Sequence, residues 1–184
     1  MKTGRIGAVI VAAGRGERAG QPEQGPKQYR LIGGTPVIRR TLENFLAHPA
    51  ISQVAVAIHV DDGDLFAQAA GDLAGKVITV PGGATRQEST FLALQALKDK
   101  GLDAVFIHDG VRPFADSLLI DRVIAGLEDG GGSLPALGVS DTLKQAGDDR
   151  IVAGTVSRHG LYAAQTPQGF AFDAILAAHQ NAHQ

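Results

Sequence analysis

The sequence predicts a three-layer α/β/α fold around a mostly parallel sheet, and three observations carry that expectation. Short continuous apolar runs alternate with stretches of helical period, the pattern of strands buried on both faces beneath crossover helices. The first run leads into a loop rich in glycine and basic residues, placed where open sheets of this kind hold their ligands. The 184 residues suffice for one sizeable core and are short for two, so one domain over 1–184 is expected.

The apolar runs fall at Ile6–Ala12, 54–58, 77–80, 104–107 and about 133–137. The first is too short for a signal peptide or a membrane span and reads as a core strand. Between the runs, Val37, Ile38, Thr41, Leu42 and Phe45 share one helical face behind Pro36, a residue suited to a first helical turn. Thr85 and Glu88 have capping-box spacing ahead of Phe91, Leu94 and Leu97. Ile120, Val123, Ile124 and Leu127 repeat at helical intervals until "GLEDGGG" stops them. Right-handed crossovers then give a Rossmann-like sheet. After Val139 the pattern changes, since "SDTLKQAGDDRIVAGTVSR" reads as two strands joined by a turn at "AGDDR". Its small apolar content predicts a β-arm projecting over about 140–158, of the kind that a second subunit covers.

Composition narrows the function. Hydrophobic residues make up 44%, charged residues 20%, and the net charge is −2, which fits a soluble protein without the basic field that nucleic acid requires. No membrane partner is expected either. The absence of cysteine excludes disulfides, thiolate metal sites and a cysteine nucleophile, and nothing demands an oxidising compartment, so a cytoplasmic location is expected.

In "VIVAAGRGERAGQPEQGPKQYRLIGG", flexible backbone lies beside Arg15, Arg18 and Lys27, a combination able to cradle a polyphosphate with backbone N–H groups and neutralise it. A solvated surface loop is the competing reading. The Walker A pattern fails, because Gln28 follows Lys27 where a serine or threonine would reach magnesium. Gly14, Gly16 and Ala19 satisfy a dinucleotide fingerprint on paper, but a long irregular loop stands where a helix should open. The first acid after the second strand is Asp61.

Together, "AAGRGERAG…GPKQYRLIGGTPVI", "GGATRQES", "HDGVRPF", "SDTLK", "TVSR" and "QTPQGF" resemble the 2-C-methyl-D-erythritol 4-phosphate cytidylyltransferases of the non-mevalonate isoprenoid pathway. The likeness covers nearly the whole chain. It implies a nucleotidyltransferase domain that moves CMP from CTP onto a polyol phosphate. It also implies Mg²⁺ held mainly through the CTP phosphates, no dedicated protein metal site, and a homodimer joined through the arm. By this resemblance Ala12, Ala13, Gly14 and Gly16 line the triphosphate, while Arg18 and Lys27 stabilise charge at the reacting phosphate. Gly82, Gly83 and Ser89 belong to the segment that reads cytosine and ribose; on bare sequence they also read as a strand-to-helix turn capped by Thr85. Asp109 is implied to act beside ribose, metal and acceptor, with Arg112 fixing its loop. No general base is needed, because the attacking phosphate oxygen is already ionised. Thr142, Arg158 and Thr166 match positions that bind the acceptor, the first two serving the neighbouring subunit's site. Arg86 and Lys144 lie in these motifs without an assigned role, and His108 reads as a packed residue.

Pentitol phosphate cytidylyltransferases share the loop and the "DxxRP" region, so ribitol 5-phosphate is an alternative acceptor, and a non-catalytic CTP-binding fragment is another reading. Three local departures stand out: Ala19 for a common methionine, a slightly long "GQPEQG", and Gly110 for the usual alanine. The family continues past "TPQ" with further acceptor-binding residues, whereas this sequence stops at "AHQNAHQ". A shortened chain, an unseen remainder, and one piece of a longer fusion with the cyclodiphosphate synthase are the expectations that follow.

Overall fold

The structure is a computed structural model that describes residues 4–15, 25–128 and 130–182. The strands are β1 (Ile6–Ala12), β2 (Leu31–Ile32), β3 (Thr35–Pro36), β4 (Ile51–Ile58), β5 (Ile78–Pro81), β6 (Ala104–Asp109), β7 (Gly132–Ser133), β8 (Ala136–Gly138), β9 (Leu143–Ala146), β10 (Val152–Val156), β11 (Tyr162–Ala164) and β12 (Gln168–Ala171). The helices are α1 (Val37–Ala47), α2 (Gly63–Ala70), α3 (Arg86–Leu97), α4 (Ser117–Glu128) and α5 (Phe172–Ala182).

The central sheet has six strands in the order β5-β4-β1-β6-β12-β7. β5, β4, β1 and β6 run parallel, and β12 lies antiparallel to β6 and to β7. Strands buried on both faces cannot alternate apolar with polar residues, and β1 obeys this: Ile6, Ala8 and Ile10 face one layer while Val9 faces the other. The first layer holds α1, α2 and α4 through Ile38, Leu42, Phe45, Phe66, Ile120 and Val123. The second holds α3 and α5 through Ala93, Leu94, Leu97, Phe172 and Leu176.

The predicted face of α1 is the buried one, residue for residue. Pro36 stands one position ahead of the helix, where it closes the β2–β3 ribbon against Leu31. The run expected as a fifth core strand at 133–137 is split instead. Gly132 and Ser133 edge the sheet beside β12, whereas Ala136 to Gly138 leave it to pair with β11. Pro135 sits between the two pieces and has no N–H to give a ladder. The predicted arm is present as β9 and β10, a separate two-stranded sheet with mostly exposed residues.

From β1 the chain builds the sheet outward through β4 and β5, then returns across it to lay β6 on the other side of β1. The carboxyl ends of β1 and β6 therefore flank the topological switch point. Crevices at such points are where open α/β sheets bind ligands.

Candidate active site

The switch point opens a cleft of about 760 Å³ lined by Ala12, Ala13, Gly14, Lys27, Gly83, Ser89 and Asp109 among others. Three backbone segments shape it, each tied by a side chain whose polar atoms would otherwise be buried without partners. At the end of β1, buried Gln28 donates from Nε2 to the carbonyls of Ala12 (2.7 Å) and Gly14 (3.1 Å). These two bonds join the start of the glycine loop to the "PKQY" turn. Between β5 and α3, Ser89 Oγ accepts from the Gly83 N–H (3.1 Å) and donates to the Thr85 carbonyl (2.9 Å). Gly82 sits so close to the first loop that a Cβ there would stand 2.2 Å from the Ala13 Cβ. Here the glycine is a requirement of close approach.

The third segment is the end of β6. Asp109 Oδ1 accepts from Arg86 Nε (3.0 Å) and Nη2 (2.8 Å), and its Oδ2 accepts from Arg112 Nε (3.0 Å). Partial burial pushes this carboxyl up, but the bonds and charges of Arg86 and then Arg112 outweigh it and hold the group below the usual carboxylate range. Behind it, fully buried His108 gives its Nε2–H to the Arg112 carbonyl (3.0 Å), since a carbonyl only accepts. Nδ1 is then the acceptor for the Thr166 hydroxyl (2.9 Å), which in turn accepts from the Asp109 N–H (3.3 Å). Burial pushes the imidazole down to about 4, so it is neutral near pH 7.

A second cavity of about 690 Å³ adjoins the first at Val111 and is lined by Arg112, Gln165, Thr166, Phe114 and Leu137 among others. Arg112 bonds Gln165 Oε1 through Nη1, so the Asp109–Arg112 pair forms the partition between the two spaces.

A family model described as 2-C-methyl-D-erythritol 4-phosphate cytidylyltransferase matches residues 6–184. The chain belongs to the 2-C-methyl-D-erythritol 4-phosphate cytidylyltransferase family. It is 58% identical over 180 residues to the bifunctional enzyme IspD/IspF of a Chelativorans species, covering 98% of this chain and 44% of that protein. With the bifunctional enzyme IspD/IspF of Mesorhizobium japonicum it shares 58% over 182 residues, again spanning 44% of the relative. Among solved structures, the 4-diphosphocytidyl-2C-methyl-D-erythritol synthase of Anaerococcus prevotii superposes with a TM-score of 0.81 at 32% identity, over 98% of this chain and 77% of that one. The 2-C-methyl-D-erythritol 4-phosphate cytidylyltransferase of Thermus thermophilus gives 0.77 at 30% identity, over 97% and 76%.

Of the family-matched residues, Ala12, Ala13, Gly14, Lys27, Gly83, Ser89 and Asp109 line the first cleft, and Gly82 shapes its wall. Arg112 and Thr166 line the adjoining cavity. Gly16 and Arg18 lie outside the described residues. Thr142 and Arg158 line neither cavity; they lie on the exposed arm and its base, where Arg158 bonds the Ser140 carbonyl. Lys144 reaches Thr155 across the arm (2.7 Å).

Two arginines gain partners that the sequence did not name. Arg86, left without an assigned role by the sequence, is a half-exposed side chain that pairs with Asp109. Arg15, expected to neutralise phosphate, is held by Asp62 (2.7 Å) and His59 (2.6 Å). Sequence reasoning also passed over His59, which lines the cleft, and Gln28, whose only signal was its place inside "PKQY".

Proposed function

We propose that this chain transfers CMP from CTP to 2-C-methyl-D-erythritol 4-phosphate, releasing pyrophosphate. The observation that carries the reading is the pair of adjoining cavities, one basic and glycine-lined, the other edged by Arg112, Gln165 and Thr166, with Asp109 between them. In the reaction an acceptor phosphate oxygen forms a bond to the α-phosphorus of CTP while the bond from that phosphorus to the β-phosphate oxygen breaks. Such a transfer needs alignment of two polyanions and stabilisation of the charge that builds between them.

The residues divide that work. No described acceptor takes the Lys27 ammonium, which leaves it available to the reacting phosphate. Arg18 of the same loop is assigned the same task. Ala12, Ala13, Gly14 and Gly16 bring backbone to the triphosphate, and Gly82, Gly83 and Ser89 hold the wall for cytosine and ribose. Asp109, kept ionised by two arginines, faces the ribose and the acceptor. Arg112 and Thr166 receive the acceptor from one subunit, and Thr142 and Arg158 of a second copy complete its pocket across a homodimer. The exposed arm supports that assembly.

Among the described residues no group of three or more His, Asp or Glu is placed to hold a metal ion, and Asp109 is the one carboxylate on the described cleft wall. That donor set fits Mg²⁺ carried by nucleotide phosphates with at most one protein oxygen. Asp109 would be the protein oxygen available to the ion, which would offset phosphate charge when bound. No described helix is long and apolar enough to cross a membrane, and a cytoplasmic location is part of the same proposal.

The test is pyrophosphate release from CTP and Mg²⁺ with 2-C-methyl-D-erythritol 4-phosphate or ribitol 5-phosphate as acceptor. Release with the erythritol phosphate alone is expected, and Lys27→Ala is expected to lower turnover about 100-fold or more, the scale of losing one preorganised charge donor. Equal release with ribitol 5-phosphate would overturn the acceptor, and an unchanged Lys27→Ala rate would overturn the role of the lysine.

A further inference from the structure

Asp62 occupies the N-cap position of α2, where an aspartate ordinarily accepts a backbone N–H of the first turn. It makes no such bond. Its side chain is instead buried, with Oδ1 taking Arg15 Nη1 at 2.7 Å. The same guanidinium places Nη2 on His59 Nδ1 at 2.6 Å and reaches Asp61 Oδ2 at 3.4 Å. His59 Nδ1 also accepts from the Asp61 N–H at 3.2 Å, so the β4–α2 turn presents acceptors to Arg15 from three residues. Arg15 follows Gly14 directly, on the rim of the nucleotide cleft.

The second oxygen of Asp62 is buried without a hydrogen-bond partner among the described residues, and so is the Tyr29 hydroxyl. The Lys27–Tyr29 turn packs against α2, whose N-cap is Asp62, and burial, then the Asp62 charge, push the Tyr29 hydroxyl up. Tyr29 ends the short turn Lys27–Tyr29. One buried carboxylate therefore stands next to the residue that follows Gly14 and next to the turn that carries Lys27.

We infer that Asp62 is a positioning residue for the nucleotide site, holding Arg15 so that the glycine backbone and Lys27 keep a common geometry, and that Arg15 is a tether in this loop instead of a phosphate ligand. The inference rests on the cytidylyltransferase reading, since it concerns how CTP is held. A free arginine on this rim would add one more charge to the triphosphate. An arginine shared among Asp62, Asp61 and His59 has its charge and its planar fork already engaged, as Arg86 on the same cleft wall is engaged by Asp109, and Lys27 is the lining cation that no described carboxylate pairs.

The experiment measures CTP affinity in Mg²⁺ by calorimetry for the unsubstituted chain, Arg15→Met, Arg15→Lys, Asp62→Asn and the double variant Arg15→Met/Asp62→Asn, with the thermal unfolding midpoint of each. A tether predicts that Arg15→Met and Asp62→Asn each weaken CTP about tenfold, the scale of losing one charge-assisted hydrogen bond. It predicts that the double variant is no worse than either single one, and that KM for the acceptor stays within twofold. Lysine cannot span Asp62 and His59 together, so Arg15→Lys is expected to match Arg15→Met. Rescue by Arg15→Lys, or tighter CTP binding in Asp62→Asn, would overturn the tether and make Arg15 a phosphate ligand. If Asp62→Asn does not fold, the Arg15→Lys and Arg15→Met pair decides on its own. Loss of affinity that only follows the unfolding midpoints would also overturn it. Absence of CTP binding by the unsubstituted chain would overturn the cytidylyltransferase reading and this inference together.

Discussion

At the scale of single residues, the site is organised by a neutral buried histidine. Asp109 N–H, Thr166 Oγ1 and His108 Nδ1 form one hydrogen-bonded chain, and His108 Nε2–H continues it to the Arg112 carbonyl. The imidazole protonates near pH 4 when folded, against 6.5 for the ordinary side chain. Between those values the unfolded chain binds more protons than the folded one. Stability is therefore full above 6.5 and declines as the pH falls toward 4, by about 3 kcal/mol for this group. Urea unfolding at pH 7.5 and pH 5 should show the decline, and His108→Gln should flatten it. Asp109 adds a loss at lower pH, since its depressed folded value contributes stability above the unfolded one and surrenders it as the carboxyl is protonated. Thr166→Val leaves the Asp109 N–H and His108 Nδ1 without their shared partner, and a loss of about 1–3 kcal/mol is expected in the same assay, with recovery in Thr166→Ser. The sequence placed His108 as a packed residue and Asp109 at the strand end; the bridging role of Thr166 was invisible because 58 residues separate it from His108.

At the scale of elements, the turn from β5 into α3 illustrates what local sequence encodes. Thr85 Oγ1 accepts the Glu88 N–H at 3.0 Å, the predicted half of a capping box. The other half is displaced by one residue, because Glu88 Oε2 takes the N–H of Ala84 at 2.7 Å. Thr85→Ala should cost about 1 kcal/mol in urea unfolding. The two glycines before it differ. A Cβ on Gly82 would collide with the Ala13 Cβ and stand 3.2 Å from the Ile58 carbonyl oxygen, whereas on Gly83 its nearest neighbours would be atoms of the Glu88 side chain. Under the proposed function, Gly82→Ala is expected to lower CTP affinity at least tenfold more than Gly83→Ala, because the nearest obstacle in the latter is a rotatable side chain. Helices with a long apolar period, such as α1 and α4, were legible from their sequence. β11 and β12 were not, and β8 was read only as part of one longer run, since three- to four-residue strands carry too few positions to show a period and owe their pairing to distant partners.

At the scale of the whole molecule, the arm is a two-stranded sheet of its own. β8 and β11 pair as Gly138 with Tyr162, and the Val139 N–H reaches the Leu161 carbonyl at 3.2 Å, so the chain leaves and returns at one point. Replacing residues 140–160 by a two-residue turn should therefore leave the unfolding midpoint and CTP affinity near those of the full chain. Under the proposed function it should abolish acceptor-dependent pyrophosphate release, because Thr142 and Arg158 go with the arm. Sedimentation at micromolar concentration is expected to show a dimer for the full chain and a monomer for the excised one. A dimer that survives the excision would place the interface elsewhere, and the exposed Phe114, Leu118 and Leu137 would then be the apolar surface to examine.

The sequence by itself determined the alternation of buried strands and amphipathic helices, the glycine loop after β1 and the projecting arm. Each is written in a local period or a local backbone requirement, and each survives without knowledge of the rest. Only the tertiary structure decided the partnerships across the site: Arg86 on Asp109, Arg15 on the cleft rim yet bonded to Asp62, and Gln28 bracing Ala12 and Gly14. The physical reason is that a charged or amide side chain has several possible partners of similar worth. Which of them it meets is set by the strand order that brings β1, β4 and β6 to one edge.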